Sequence, residues 1–398
     1  MRLSRSFPIV LLTGARQVGK TTLLDHLGGE RGRARRRYVS LDEFELRSLA
    51  RNDPGLFLQH HPPPLTIDEI QYAPQLLPYL KVRVDRSGRM GEYWLTGSQH
   101  FHLMRDVSES LAGRVGVLRL LGLSQAEEDS VPAAARPWSP ALARSGQARA
   151  AATVRQIFSR IVRGSFPRLV HRNAPPLDAF YGSYVQTYID RDLRDLVRAG
   201  SLSSFERFLR VCAARTASLL NLSDLARDSD VSVNTAKEWL SLLEAAGHVF
   251  LLRPYYRNLT KRLTKAPKLY FVDTGLACYL TGWRNADVAA RGAAAGALFE
   301  TYVVAEIIKS YWHRGCEPPI FFFRTKEKVE IDVVLEANGR LLPIEIKLAS
   351  RVPADSLKGF AALRKTSAAV GCGTVVAAVR EPYALSAEVH VLPPAAIS

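Results

Sequence analysis

The stretch Gly14-Ala15-Arg16-Gln17-Val18-Gly19-Lys20-Thr21 constrains this chain more than any other. Its glycines let the backbone turn so that N–H groups point inward around an anion. An apolar run precedes it (Phe7–Thr13), and helix-forming residues follow it (Thr22, Leu23, Leu24, His26, Leu27). That is the strand–loop–helix setting that G-x-x-x-x-G-K-[ST] requires, and a chance glycine turn does not supply it. The expected ligand is ATP with Mg²⁺: Lys20 neutralises the β- and γ-phosphates, Thr21 holds the metal through its hydroxyl, and the backbone from Gly14 to Thr22 lines the phosphates.

A second signal supports the first. Leu65-Thr66-Ile67-Asp68-Glu69 is an apolar run ending in two carboxylates. A buried central strand delivers its last residues to the ligand crevice. Asp68 is therefore expected beside the magnesium, and Glu69 is expected to polarise the attacking water. The runs Phe7–Thr13, Tyr38–Leu41, Leu65–Asp68, Tyr93–Thr96 and Val115–Leu120 alternate with helical stretches, which predicts an α/β unit over 1–124: a parallel sheet with helices on both faces. Residues 125–152, rich in Ala, Arg, Pro and Ser, read as a linker. A helical region with a winged-helix pattern follows over 153–290, then a small α/β unit over 291–398.

At 398 residues the chain is too long for one core. Lys and Arg number 54 against 38 Asp and Glu, a net charge of +16. Such an excess favours a polyanionic partner, nucleic acid or an acidic membrane face; the plainer reading is a solvated, Arg-rich surface. The basic run Arg31–Arg37 reads as a solvated loop in preference to a phosphate contact. Cys212, Cys278, Cys316 and Cys372 show no C-x-x-C spacing, so neither a zinc site nor a disulfide framework is indicated, which suits a reducing cytoplasm. The short apolar stretch after the basic N-terminus runs straight into the phosphate loop and so is a strand, not a signal peptide. No apolar run approaches the roughly 20 residues that span a bilayer. A soluble, cytoplasmic protein without membrane partners is expected.

GARQVGKTTLL, LTIDEIQ, WLTGSQ and SESLAGRV, and further on FPRL, YIDRDLRDL, KLYFVDTGLACYL and GALFETYVVAEI, resemble in order and spacing the AAA-type ATPases whose C-terminal half is a domain of unknown function. The resemblance covers nearly the whole chain. It implies that Ser98 or Thr96 senses the γ-phosphate and that Arg114 is an arginine finger, supplied to a neighbouring subunit of a homo-oligomer. A structural ion pair is the equal alternative for Arg114. One departure is that the family usually carries a helical segment before the first strand, whereas six residues precede Phe7 here.

Asn221-Leu-Ser-Asp-Leu-Ala-Arg, then Ser232-Val-Asn-Thr-Ala-Lys-Glu-Trp-Leu, then Gly247-His-Val-Phe-Leu-Leu has the layout of a winged helix-turn-helix, with Ser232 capping the second helix. Val233, Ala236, Leu240 and Leu243 share its apolar face; Asn234, Lys237, Glu238 and Ser241 face outward. Arg253, Arg257, Lys261, Arg262, Lys265 and Lys268, interleaved with Tyr255 and Tyr256, suit phosphate contact and base stacking. DNA is the expected partner of this face, a protein the alternative.

Asn338-Gly339 is a strong hairpin signal, because a type I′ turn needs positive φ at both positions. A two-residue loop sets Asp332 opposite Glu345 and Glu330 opposite Lys347, all on one face, with Ile331, Val333, Leu335, Ile344 and Ile346 on the other. Facing carboxylates repel, and a divalent cation is the natural compensation, Mg²⁺ or Mn²⁺ for oxygen ligands. With Glu300 on the preceding helix, this spacing resembles the restriction-endonuclease-like PD-(D/E)xK nucleases. The resemblance implies Glu300, Asp332 and Glu345 as metal ligands and Lys347 as the catalytic lysine; a solvated hairpin in which Lys347 pairs with Glu330 is the alternative. Three functions stay open: an ATPase coupling nucleotide state to nucleic-acid engagement with metal-dependent cutting, a non-cutting nucleotide-gated DNA-binding regulator or scaffold, and a protein remodeller.

Overall fold

The computed structural model describes residues 2–28, 36–97, 107, 109–131, 136–141, 152–189, 202–256, 258, 262–263, 265–353, 357–367 and 369–397. They form two compact units, Met1–Gly122 with Ala245–Gly247 and Trp312–Cys316, and the remainder.

In the first unit β1 (Ile9–Thr13), β2 (Arg37–Ser40), β3 (Leu65–Asp68), β4 (Tyr93–Gly97) and β5 (Val115–Arg119) make one parallel sheet in the order β2-β3-β4-β1-β5. The alternation of side chains along β1 explains its apolar run from Ile9 to Leu12. Ile9 and Leu11 enter the larger core with the helices Phe44–Asn52, Pro54–His60 and Leu76–Ser87, while Val10 and Leu12 pack on Leu24 and Trp94 across the other face. The helix Lys20–Gly28 lies directly after the phosphate loop, and Arg2–Ser6 forms one short helix before β1.

The described residues of the second unit hold nine further strands: β6 (Ser218–Leu219), β7 (Val249–Leu252), β8 (Lys268–Phe271), β9 (Ile320–Arg324), β10 (Glu330–Ala337), β11 (Arg340–Lys347), β12 (Gly373–Ala377), β13 (Tyr383–Ser386) and β14 (Val389–Leu392). β6, β8 and β7 form a three-stranded antiparallel sheet, which accompanies the helices Leu202–Ala214, Leu222–Ser229 and Val233–Ala245. The expected cap is present, Ser232 Oγ accepting from Thr235 N–H at 3.1 Å, and Asn221 caps the helix before it, its side chain accepting from Ser223 and Asp224 N–H. Trp239 is buried edge-on against Phe205 and Phe208. Val233, expected on the buried face, is instead 46% exposed, because the first turn of its helix projects beyond that core.

The other sheet runs β13-β14-β12-β11-β10-β9. Its central hairpin has the register that the turn dictates, from Val333 opposite Ile344 to Ala337 opposite Arg340, with Asn338 at φ 51° and Gly339 at φ 71°. The helix Ala295–Trp312 precedes β9, and the helix Lys358–Thr366 lies between β11 and β12 in the chain. Of the stretch 125–152, read as a linker, the described residues 125–131 and 136–141 include ordered structure. Ser124 and Glu127 form a capping box at the helix Gln125–Glu128; Gln125 and Trp138 are buried, and the Trp138 indole donates to the Ala396 carbonyl at 2.8 Å. No helix among the described residues is long and apolar enough to cross a membrane.

Candidate functional site

The chain leaves β1 at Gly14, where φ is +145° and an added Cβ would lie 2.0 Å from the Leu120 carbonyl oxygen, so no larger residue fits. Gln17 and Gly19 also take positive φ, 56° and 93°. Alternating backbone hand of this kind turns successive N–H groups into a concave anion cradle. Ala15 and Val18 bury their side chains, so their part in binding is through the backbone; Gln17 and Thr22 are exposed and Arg16 is half-buried. Lys20 is 7% exposed, and its Nζ donates to the Gly14 carbonyl at 2.9 Å and the Ala15 carbonyl at 3.0 Å.

Asp68 is where the hydroxyls meet. Its Oδ2 accepts from Thr21 Oγ1 at 3.1 Å and from the Tyr38 hydroxyl at 2.6 Å, and its Oδ1 accepts from Thr96. Thr96 Oγ1 in turn accepts the Glu69 N–H at 3.2 Å. Burial raises the Tyr38 pKa, and the bond to Asp68 adds to the rise, so the phenol keeps its proton. Glu69 sits in the left-handed region (φ 56°, ψ 47°), a conformation that costs a non-glycine residue about 1 kcal/mol or more, and the Gln71 amide donates to its carboxylate. Thr21 and Asp68 thus set hard oxygen donors side by side, the donor type that Mg²⁺ takes, at the mouth of a loop shaped for phosphate. The residues fit a magnesium nucleotide.

Tyr38 was not singled out in the sequence, because only the register of β2 on β3 brings its ring to Asp68. Thr96, expected as a γ-phosphate sensor, is fully buried and holds the Asp68–Glu69 pair in place. Ser98, the other candidate, lies outside the described residues, as do Arg257 and Lys261. Arg114 is bound to Asp85 by both ends of its guanidinium, Nε to Oδ1 at 2.6 Å and Nη2 to Oδ2 at 2.9 Å, the ion-pair alternative of the two considered. This pair holds the Asp85 pKa below the usual carboxylate range.

In the second unit three acids of the hairpin face and its neighbouring helix, Glu300, Glu330 and Asp332, come together around an ammonium. Lys268 Nζ, on β8, lies 3.1 Å from Glu300 Oε1, 2.5 Å from Glu330 Oε1 and 3.6 Å from Asp332 Oδ1. Burial works against its charge, but Glu300, Asp332 and Glu330 together push its pKa above the ordinary lysine value. The Tyr270 hydroxyl donates to Glu300 at 2.6 Å. Lys347 pairs with Glu345 at 2.6 Å and not with Glu330, which Arg324 contacts instead. Asp332 does not face Glu345 across a regular ladder: its Oδ2 accepts the Ile346 N–H at 2.8 Å, in the place of a backbone carbonyl. Burial, then Asp332, raises the pKa values of both Glu300 and Glu345. The expected ligand set of Glu300, Asp332 and Glu345 is therefore arranged around protein cations, and no group of three or more His, Cys, Asp or Glu poised to hold a metal occurs among the described residues.

The basic face expected beyond the Val233–Ala245 helix is smaller than the sequence suggests. Lys268 is buried in the acid cluster. Arg262 stacks over Tyr255 and Phe321 and reaches Glu336 at 3.3 Å. Asn234, Lys237, Glu238 and Ser241 are exposed as expected, Lys265 is exposed and Arg253 is half-buried.

Comparison with known proteins matches three stretches of the chain. Residues 6–128 match the AAA domain family, 154–287 a domain of unknown function (DUF8612) and 295–397 another (DUF4143). Uncharacterized proteins of Mycobacterium tuberculosis and Mycobacterium bovis are each 31% identical over 344 residues, 86% of this chain and 71% of theirs. The crystal structure of protein VC1899 from Vibrio cholerae aligns over 98% of this chain and 95% of its own at 14% identity, with a TM-score of 0.18, too low to bear on the fold.

Proposed function

This chain carries an AAA domain and belongs to one family with the two uncharacterized mycobacterial relatives, and from that premise we propose that it binds and hydrolyses ATP and that its nucleotide state controls engagement of nucleic acid by the second unit. The observation that carries the reading is the Thr21–Asp68 bond at the mouth of the Gly14–Lys20 loop.

The backbone N–H groups of the loop and the N-terminus of the Lys20–Gly28 helix hold the phosphates. Lys20 exchanges the Gly14 and Ala15 carbonyls for phosphate oxygens, a swap of weak neutral acceptors for charged ones. Thr21 and Asp68 would hold Mg²⁺, which supplies charge neutralisation to the transferring phosphoryl group. Glu69, fixed through its own N–H by Thr96, takes hydrogen-bond control of the attacking water.

The DNA part rests on the helix pair followed by the β7–β8 hairpin, on exposed Asn234, Lys237 and Ser241, and on the net charge. Metal-dependent cutting is left out of the proposal, because Lys268 and Lys347 occupy the carboxylates that a metal needs; this favours the non-cutting, nucleotide-gated reading over the nuclease.

The test is binding of a fluorescent ADP analogue and phosphate release, each with Mg²⁺, with and without duplex DNA. Lys20→Ala is expected to weaken nucleotide binding at least ten-fold and to abolish turnover while the fold is kept. Wild-type protein with no affinity for ATP or ADP, or turnover untouched by Lys20→Ala, sinks the ATPase reading. Turnover stimulated by a polypeptide and indifferent to DNA would move the partner to protein.

A further inference from the structure

We propose that Lys268 is the resident cation of the second unit's acid cluster, standing where the metal-dependent nucleases resembled by this hairpin hold a divalent ion. The inference is independent of the nucleotide site. A lysine ammonium carries three donors and no acceptor. Here Glu300 and Glu330 lie within hydrogen-bond distance of it, and Asp332 lies at ion-pair distance. The side chain is delivered by β8, a strand of the other sheet, and Lys268 is 4% exposed.

The remaining oxygens are largely spoken for. Asp332 Oδ2 accepts a backbone N–H, Glu345 Oε1 contacts Lys347, Glu330 Oε2 contacts Arg324 at 3.3 Å, and Glu300 Oε1 also accepts from Tyr270. Among the described residues, Glu345 Oε2 is a buried carboxylate oxygen with no hydrogen-bond partner. A small divalent ion needs about six oxygen ligands close to 2.1 Å in a near-octahedral shell. With an ammonium already among those oxygens, such an ion would meet repulsion and too few donors. The residues present do not fit a metal while Lys268 is in place.

The cluster has a chemical consequence when that cation is removed. Truncating Lys268 leaves carboxylates facing a void of ammonium size, with Glu345 Oε2 already unpaired, and this is an oxygen-only site for a hard cation. The native chain therefore excludes divalent ions from this site, and the truncated chain takes one.

The experiment is titration of full-length, nucleotide-free protein with Mn²⁺, followed by electron paramagnetic resonance of free Mn²⁺ and by the shift of the thermal midpoint. Wild type and Lys268→Arg are expected to show no site that depends on Asp332. Lys268→Ala is expected to gain one Mn²⁺ per chain, at least ten-fold tighter than any wild-type binding, and to be stabilised by it; adding Asp332→Asn removes the gain. Wild-type binding of one Mn²⁺ that is lost in Asp332→Asn overturns the proposal, and so does a folded Lys268→Ala that gains none. Should Lys268→Ala fail to fold even with Mn²⁺, wild type against Asp332→Asn decides alone: equal binding upholds the exclusion, and a loss in Asp332→Asn rejects it.

Discussion

Glu69 and His248 are two residues whose surroundings fix their behaviour. Glu69 is held in a strained backbone state by Thr96, with its carboxylate beside Gln71, so removing its charge disturbs little packing. Glu69→Gln is expected to keep nucleotide affinity within a few-fold and to lower phosphate release about 100-fold or more, the scale of a lost general base; equal turnover would remove Glu69 from the chemistry. His248 is buried, with Tyr184 edge-on to it, and burial depresses its pKa to about 4 although Asp273 pulls the other way. The unfolded chain titrates near the ordinary 6.5, so between 6.5 and about 4 the unfolded state binds more protons than the folded one. Stability is therefore full above pH 6.5 and falls as the pH drops through that window, by roughly 3 kcal/mol in all. Thermal midpoints measured from pH 7 to 4 should show this slope, and His248→Gln should flatten it; an unchanged slope places the acid sensitivity elsewhere.

Elements differ in how openly the sequence declares them. The five strands of the first sheet could be read because short apolar runs alternate there with helical stretches, though β2 (Arg-Tyr-Val-Ser) is the least apolar of them, and the β10–β11 register because two residues of positive φ permit one pairing only. The same logic gives a prediction. An added Cβ at Gly339 meets nothing within 4 Å, so Gly339→Ala loses only the left-handed backbone preference, about 1 kcal/mol, while Asn338→Gly should be close to neutral. Denaturant midpoints of the two variants check it, and a loss of several kcal/mol at Gly339 would mean that the hairpin had shifted register. Lys268 could not be read in this way. In the chain it follows a run of cations and looks like one more phosphate contact; its partners come from a helix and a hairpin that only the tertiary fold brings near. Trp138 was hidden by Ala- and Pro-rich neighbours. A signal for the helix before it was nonetheless present, since Ser124 and Glu127 have capping-box spacing.

For the whole molecule the open question is what a charge of +16 is for, once the cations spent internally are set aside. Arg262, Lys268, Lys309 and Arg114 all pair with carboxylates, which leaves Lys237, Arg253 and Lys265 as the described cations best placed to meet phosphate around the Val233–Ala245 helix and the β7–β8 hairpin. Three phosphate contacts release about three counterions, so the logarithm of DNA affinity should fall with the logarithm of salt at a slope near −3, or roughly 50-fold between 50 and 200 mM. Lys237→Ala should reduce that slope by about one and weaken all sequences alike. Nucleotide control adds a thermodynamic condition. If ATP changes DNA affinity by some factor, DNA must change ATP affinity by the same factor, because the two bindings share one cycle. Anisotropy titrations of labelled duplex with and without a non-hydrolysable ATP analogue, and of the analogue with and without duplex, should therefore agree. A DNA affinity indifferent to both salt and nucleotide would leave the charge as a solvated surface and the second unit uncoupled from the first.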